Sequence, residues 1–578
     1  MHEFRVWAPH ASTVELALRD QRTPMRRDDD GSWSTRAAAE DGDAYAYVID
    51  GDELPDPRSG SQPDGVHARS CLVRHDAYVW HDAGFRAPPL EGAILYELHV
   101  GTFSRAGTFD GAIAHLDHLV ALGVTHVELL PVAAFDGTHG WGYDGVALYA
   151  PFAPYGGPEG LKRLVDACHA RGLGVVLDVV YNHLGPSGNY LGRFGPYFTE
   201  RYRTPWGAAV NYDDAGSDAV RRFVIDNAVG WVRDYHVDGL RLDAVHAIFD
   251  FSATHVLEEL SRAVHAAGAA LGKHVAVIAE SDLNDPRLLH APEAGGYGLD
   301  AQWSDDVHHA LHAVLTGERH GYYEDFGPLA ELARALERGW SYDGRYSPHR
   351  RRRHGRGTAG LDGTRFVVFL QNHDQIGNRA TGERLEHLAG AARARIGAAL
   401  LLTSPFVPLL FQGEEWASSS PFQYFTAHRD EALATAVREG RKREFAAFAW
   451  QGEVPDPQAA ATLDRSRLDW AELQSEPHAA MLRWYRDLIR LRRAEPDLCD
   501  PRLERTRVSF DEDARWLVVE RGAAAVVCNL GSAAQRVPLR GAGRRVSLAS
   551  PDGDLRVTDD GVWLAAESVV ILSAAARE

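Results

Sequence analysis

Val237-Asp238-Gly239-Leu240-Arg241-Leu242-Asp243-Ala244-Val245-His246 reads as an alternating strand that ends in an arginine and an aspartate two residues apart. Residues two apart on a strand point to one face. Arg241 and Asp243 are therefore expected side by side, with the cation holding the carboxylate ionised. Two more carboxylates close apolar runs downstream: Glu280 after Val275-Ala276-Val277-Ile278-Ala279, and Asp374 after Phe366 to Leu370 and Gln371-Asn372-His373. Three acids at the C-terminal ends of three strands are what a (β/α)8 barrel enzyme needs, because its site is built there.

Working outward, the flanking sequence fits that barrel. Strands are expected over 94–103, 126–132, 175–183, 237–243, 275–280, 299–303, 366–374 and 407–412. Helices are expected at 109–122, 161–171, 219–235, 255–267, 308–315, 386–402 and 479–493. We count eight strand–helix units over 89–497, with irregular insertions at about 184–215, 319–363 and 417–475. Residues 1–88 carry short alternating strands with turns about every ten residues, the pattern of an immunoglobulin-like β-sandwich. Pro88-Pro89 marks its end. Residues 498–578 return to strand pattern and read as a second β-sandwich. The expected fold class is thus α/β, a TIM barrel between two β-sandwiches.

Composition narrows the partners. The net charge of -20 argues against a nucleic-acid or anionic-membrane partner, which would need a basic face. The arginine run His349 to Arg353 falls in an insertion and reads as a solvated loop. Cys71, Cys168, Cys499 and Cys528 form no CxxC pair and read as buried free thiols. With no signal peptide and no apolar run of spanning length, a cytoplasmic location is expected. His308 and His312 lack the glutamate of a zinc-protease helix, Gly268 to Lys273 is too short for a phosphate loop, and no dinucleotide fingerprint follows the first strand. No metal and no cofactor is expected.

The chemistry that suits three such acids is acetal cleavage. One carboxylate attacks the anomeric carbon while another protonates the leaving oxygen, at a separation of about 5 Å in a retaining mechanism. Asp243, paired with Arg241, suits the nucleophile. Glu280, after five apolar or small residues, suits the general acid. Asp374 with His373 can grip the hydroxyls of the distorted ring.

Asp178-Val179-Val180-Tyr181-Asn182-His183, Gly239 to His246, Glu280 and Gln371-Asn372-His373-Asp374 resemble, in order, the four conserved regions of the α-amylase family. That resemblance implies Asp243 as nucleophile, Glu280 as acid/base and Asp374 as transition-state stabiliser. It implies that His183, Arg241 and His373 line the subsite of the cleaved glucose, that Tyr143 in Gly140-Trp141-Gly142-Tyr143-Asp144 stacks on that ring, and that His246 is on the substrate side.

A narrower resemblance, to the maltooligosyltrehalose trehalohydrolase family, rests on Leu299 to Asp306 with His308 to His312, on Leu410 to Trp416, on Phe422 to Phe425 and on Gly440 to Phe445. It implies release of trehalose from maltooligosyl trehalose, an α-1,4-glucan oligosaccharide substrate and a synthase that supplies the substrate; a monomer is expected. Trp303, Asp306 and Trp416 are candidates for the leaving-group side, with core packing or capping as the other reading. A branching or debranching enzyme shares the same layout and acids, and a non-catalytic carbohydrate-binding protein is the reading from a different class.

Overall fold

The computed structural model describes residues 1–447, 454–539, 544–550, 555–558 and 560–574, with the backbone alone at 444–447. The end of the Gly440 to Phe445 motif, Glu444 and Phe445, has side chains outside the described residues. Eight parallel strands close into a barrel. They are β1 (Leu95–Leu98), β2 (His126–Leu129), β3 (Gly174–Val179), β4 (Gly239–Leu242), β5 (Ala276–Ala279), β6 (Ala301–Trp303), β7 (Phe366–Phe369) and β8 (Val407–Phe411), with β8 paired back to β1. Every residue of these strands is buried. That is the expected state of a parallel sheet packed on both faces and explains its near-continuous apolar runs.

Seven helices cover the barrel: α1 (Leu116–Leu122), α2 (Gly157–His169), α3 (Ser217–Asp234), α4 (Val256–Ala270), α5 (Asp305–Thr316), α6 (Leu385–Leu402) and α7 (His478–Ala494). The β5–β6 link carries no α-helix, just as none of the seven expected helices falls there, so one of the eight units is a strand without its helix. It holds only short 3-10 turns at Pro286–Leu288 and Pro292–Ala294, where proline and glycine interrupt any helical run. The strands are also shorter than the sequence implied. β7 stops at Phe369, and Asn372 then caps a helical turn, its side chain accepting from the Gln375 N–H at 2.8 Å. His373 and Asp374 therefore sit on that turn and not in the sheet.

The insertions hold structure of their own. Residues 198–210 form a hairpin, Phe198–Thr204 with Gly207–Val210. Helix Leu329–Arg338 and the hairpin Asp343–Ser347 with Arg352–Gly355 fill 319–363. Residues before the barrel form two antiparallel sheets, one from His2–Trp7, Arg26–Arg27 and Ser32–Ala37, the other built around Val14–Leu18 and Ala44–Ile49. Trp33, Tyr45 and Tyr47 are buried in their core. After the barrel, a five-stranded sheet from Thr506–Asp511 to Arg544–Ser550 faces a three-stranded one centred on Gly561–Leu564. Cys168 and Cys528 are buried as expected, whereas Cys71 and Cys499 are only half-buried. Among the described residues no helix is long and apolar enough to cross a membrane.

Candidate active site

The upper end of the barrel interior is charged where a TIM barrel is ordinarily filled by branched apolar side chains. Glu97 on β1 lies in register with Glu128 on β2, and Asp178 on β3 with Arg241 on β4. Arg241 is fully buried. Its Nη1 donates to both oxygens of Asp178 and to Oδ1 of Asp243, each at 2.9 Å, and its Nη2 lies 3.4 Å from Oε2 of Glu280. The guanidinium rests on the ring of Trp303, 4.3 Å from its centroid, a cation–π contact in a dry setting. Asp243 and Glu280 thus share one cation. They are further tied by the Ala244 N–H, which donates to Glu280 Oε2 at 2.5 Å. Ala244 adopts the left-handed region, φ 37°, unusual for a residue with a Cβ. Strain of that kind is held where surrounding contacts over-determine the backbone.

Both carboxyls open into a cleft of about 860 Å³ that also reaches Asp374, His183, His246 and Trp206. Burial pushes the Asp243 carboxyl upward, and the bonded Arg241 pulls it the other way, toward the ionised form a nucleophile needs. Tyr143 enters over a loop that turns at Gly142, φ 102°, where a Cβ would stand 2.2 Å from the Pro131 carbonyl oxygen. Its hydroxyl donates to Asp178 at 2.5 Å and lies 2.8 Å from Nε2 of His373. Burial, with Asp178 beside it, holds the phenol well above its ordinary range, so it stays a donor. His183 is 3.0 Å from the Tyr143 carbonyl oxygen and is pushed down to about 4 by burial, so it is neutral at pH 7. Asp374 is more open and accepts from Asn378 Nδ2 at 3.1 Å.

The structure brings Asp243, Glu280, Asp374, Tyr143, His183, His246 and His373 to one cleft, with Arg241 beneath them. It does not bring Trp303, Asp306 or Trp416 to that surface, which corrects their expected place on the leaving-group side. Trp303 is the buried floor under Arg241. Asp306 accepts from the Ser341 and Tyr342 backbone N–H groups and from Asn284, at 2.7, 2.9 and 2.9 Å, and so anchors the 319–363 insertion. Trp416 is 0 % exposed and packs between Trp470 and His118.

Other residues lie near the catalytic acids or in the cleft instead, and of them Trp206 lines it. Asp305, next to Asp306, is pushed well up by burial and by the charges of Glu280, Asp282 and Asp374. Arg350 does not share the solvated state expected of the arginine run, since it turns in and donates to Asp282 at 2.9 Å. Trp206, at the tip of the 198–210 hairpin, is 49 % exposed and stacks on His183 with centroids 4.3 Å apart. An exposed tryptophan in a Pro-Trp-Gly turn (Pro205-Trp206-Gly207) was a signal for it; the place of Asp305 depends on folding alone. His308 and His312 bond Tyr323 and Glu318 within the core.

Comparison with known proteins agrees with this layout. The model of carbohydrate-binding module 48 (isoamylase N-terminal domain) matches residues 2–99, that of the alpha amylase catalytic domain residues 60–203, and a domain of unknown function, DUF3459, residues 501–571. A malto-oligosyltrehalose trehalohydrolase of Mycobacterium tuberculosis is 50% identical over all of both chains. One from Rhizobium sp. (strain M-11) is 48% identical over 97% of this chain and 94% of its own. The crystal structure of a putative alpha amylase from Salmonella typhimurium superposes with a TM-score of 0.90 at 39% identity, covering 99% of this chain and 97% of that one. The chain belongs to the malto-oligosyltrehalose trehalohydrolase family of α-amylase-type glycosidases.

Proposed function

We propose that the protein is a retaining glycoside hydrolase that cleaves the α-1,4 bond next to the terminal trehalose of maltooligosyl trehalose and releases trehalose and a maltooligosaccharide. The observation that carries the chemistry is the single guanidinium of Arg241 shared by Asp243 and Glu280. It keeps the two carboxyls close, as a retaining pair at about 5–5.5 Å requires. Asp243 attacks the anomeric carbon and forms a glycosyl ester. Glu280 gives its proton to the leaving oxygen, then takes one from the water that attacks the ester. Asp374 and His373 hold hydroxyls of the distorted ring, and Tyr143 lies against its face. The likeness in sequence to trehalohydrolases supports trehalose as the leaving group. Work in the cytoplasm as a monomer, on substrate supplied by a synthase, belongs to the same proposal.

The test is a comparison of kcat/KM on maltotriosyl trehalose and on a plain maltooligosaccharide of equal length, with products resolved by chromatography. Trehalose released in strong preference to cleavage of the plain chain supports the reading. Equal cleavage of both, or new branch points in a glucan, would move the function to a general amylase, debranching or branching enzyme.

A further inference from the structure

Three side chains of the barrel interior have no part in the reaction as written above: Glu97, Glu128 and Asp178. Glu97 is 1 % exposed and spends both oxygens on one residue. Its Oε2 accepts from the His373 backbone N–H at 2.9 Å, and its Oε1 is 2.5 Å from His373 Nδ1. On the far side of that ring, Nε2 is 2.8 Å from the Tyr143 hydroxyl and 3.8 Å from Asp374 Oδ1.

With Asp178 ionised against the Arg241 guanidinium, the hydrogen bonds along this row of residues set the state of the ring. Tyr143 owns one proton and gives it to Asp178, whose two oxygens both face the Arg241 guanidinium. The phenol oxygen must then accept, so Nε2 of His373 carries a hydrogen. A carboxylate only accepts, so Nδ1 opposite Glu97 carries one too. We propose that Glu97 is a positioning residue for the reaction. It holds His373 as a doubly protonated imidazolium, which aims Nε2–H at Tyr143 and Asp374 and so aligns the wall of the cleft against which the sugar ring is held.

This inference rests on the glycosidase reading of the cleft but not on trehalose as the leaving group. The groups facing His373 are Glu97 from β1, Glu128 from β2, Asp178 from β3, Arg241 and Asp243 from the β4 end, Tyr143 and His99 from neighbouring loops, and Asp374 beside it. Glu128 has no hydrogen-bond partner on either oxygen, and burial, then the Glu97 charge, pushes its carboxyl well up. Glu97 is the carboxylate in direct contact with both the ring and the backbone N–H of His373. His373 is accordingly raised to about 9 against the cost of its burial.

The full-length protein should be assayed on α-maltotriosyl fluoride, whose fluoride departs without a proton, so that the general acid does not set the alkaline limb. The rate of the parent protein should hold through neutral pH and fall only near about pH 9. Removing the anion lowers the histidine, so Glu97→Gln should bring that fall at least about 1 pH unit lower and reduce kcat more than it raises KM. Glu128→Gln, which mimics a neutral acid, should leave the limb in place. An unmoved limb in Glu97→Gln, or an equal shift in Glu128→Gln, would overturn the proposal.

If Glu97→Gln does not fold, the parent protein still decides. With histidine labelled at ¹³Cε1, the resonance missing from His373→Gln should keep its imidazolium position through pH 8, and a neutral position at pH 7 would sink the idea. Fluoride hydrolysis without trehalose release would defeat the reading of substrate while leaving this test intact.

Discussion

Nη1 of Arg241 lies 2.9 Å from Oδ1 of Asp243, two residues on in the chain. The same nitrogen reaches Asp178, and Nη2 reaches toward Glu280. One planar cation therefore sets the spacing of three carboxyls.

Arg241→Lys should break that arrangement while keeping the charge. An ammonium is a point charge and cannot hold three acids in a plane. We expect kcat for trehalose release to fall by about 10²–10³, the scale of losing one preorganised electrostatic contact, with a smaller change in KM. Steady-state kinetics check it, and a kcat within a few-fold of the parent would show that charge alone suffices.

His99 is buried, within 3.0 Å of the Gly140 carbonyl oxygen, and burial lowers it to about 3. The unfolded chain takes up the proton first, near its ordinary value, so this group costs stability as pH falls below about 6.5. At pH 5 the cost is about 2 kcal/mol. The stability difference between His99→Gln and the parent should therefore shrink by about that amount between pH 7 and pH 5. Denaturant unfolding of both proteins at the two pH values measures it, and a constant difference would refute the buried neutral state.

Gly142 combines a φ of 102° with the Pro131 carbonyl oxygen 2.2 Å from where a Cβ would stand. Gly142→Ala should destabilise by about 1–3 kcal/mol and, because Tyr143 follows directly, weaken substrate binding as well. A lower Tm with an unchanged KM would separate the loop's fold from its role in the cleft.

Trp206 is half exposed and its ring already rests on His183. Trp206→Ala should leave Tm nearly unchanged and raise KM by about three- to tenfold, the worth of one aromatic stacking contact. An unaltered KM across chain lengths would make Trp206 a mere cover for His183.

The sequence carried the barrel well because its strands are buried on both faces and therefore read as apolar runs. It carried the acids because each follows such a run. What it could not show is where a strand stops. Asp374 follows an apolar run, yet the Asn372 cap turns it onto a helix. Nor could it separate Asp305 from Asp306. The two differ by about 100° around α5, so one faces the cleft acids while the other caps the insertion. Trp303 and Trp416 read either as sugar contacts or as core and proved to be floor and core, since an indole on a barrel strand or on the turn after one serves packing equally well. Glu97 and Glu128 had a visible signal, a charge within each of the apolar runs Leu95–Leu98 and His126–Leu129. Glu97 meets His373 on the turn after β7 and Glu128 has no hydrogen-bond partner on either oxygen, and only the closed barrel brings the two acids into register.

Covalent trapping shows directly whether Asp243 attacks the sugar. The protein should be incubated with a 5-fluoro-α-glycosyl fluoride, digested, and its peptides mapped by mass spectrometry. One sugar should be found on the peptide bearing Asp243, and no adduct in Asp243→Asn. An adduct on Glu280 or Asp374, or an Asp243→Asn protein that still turns over oligosaccharide at the parent rate, would contradict attack by Asp243.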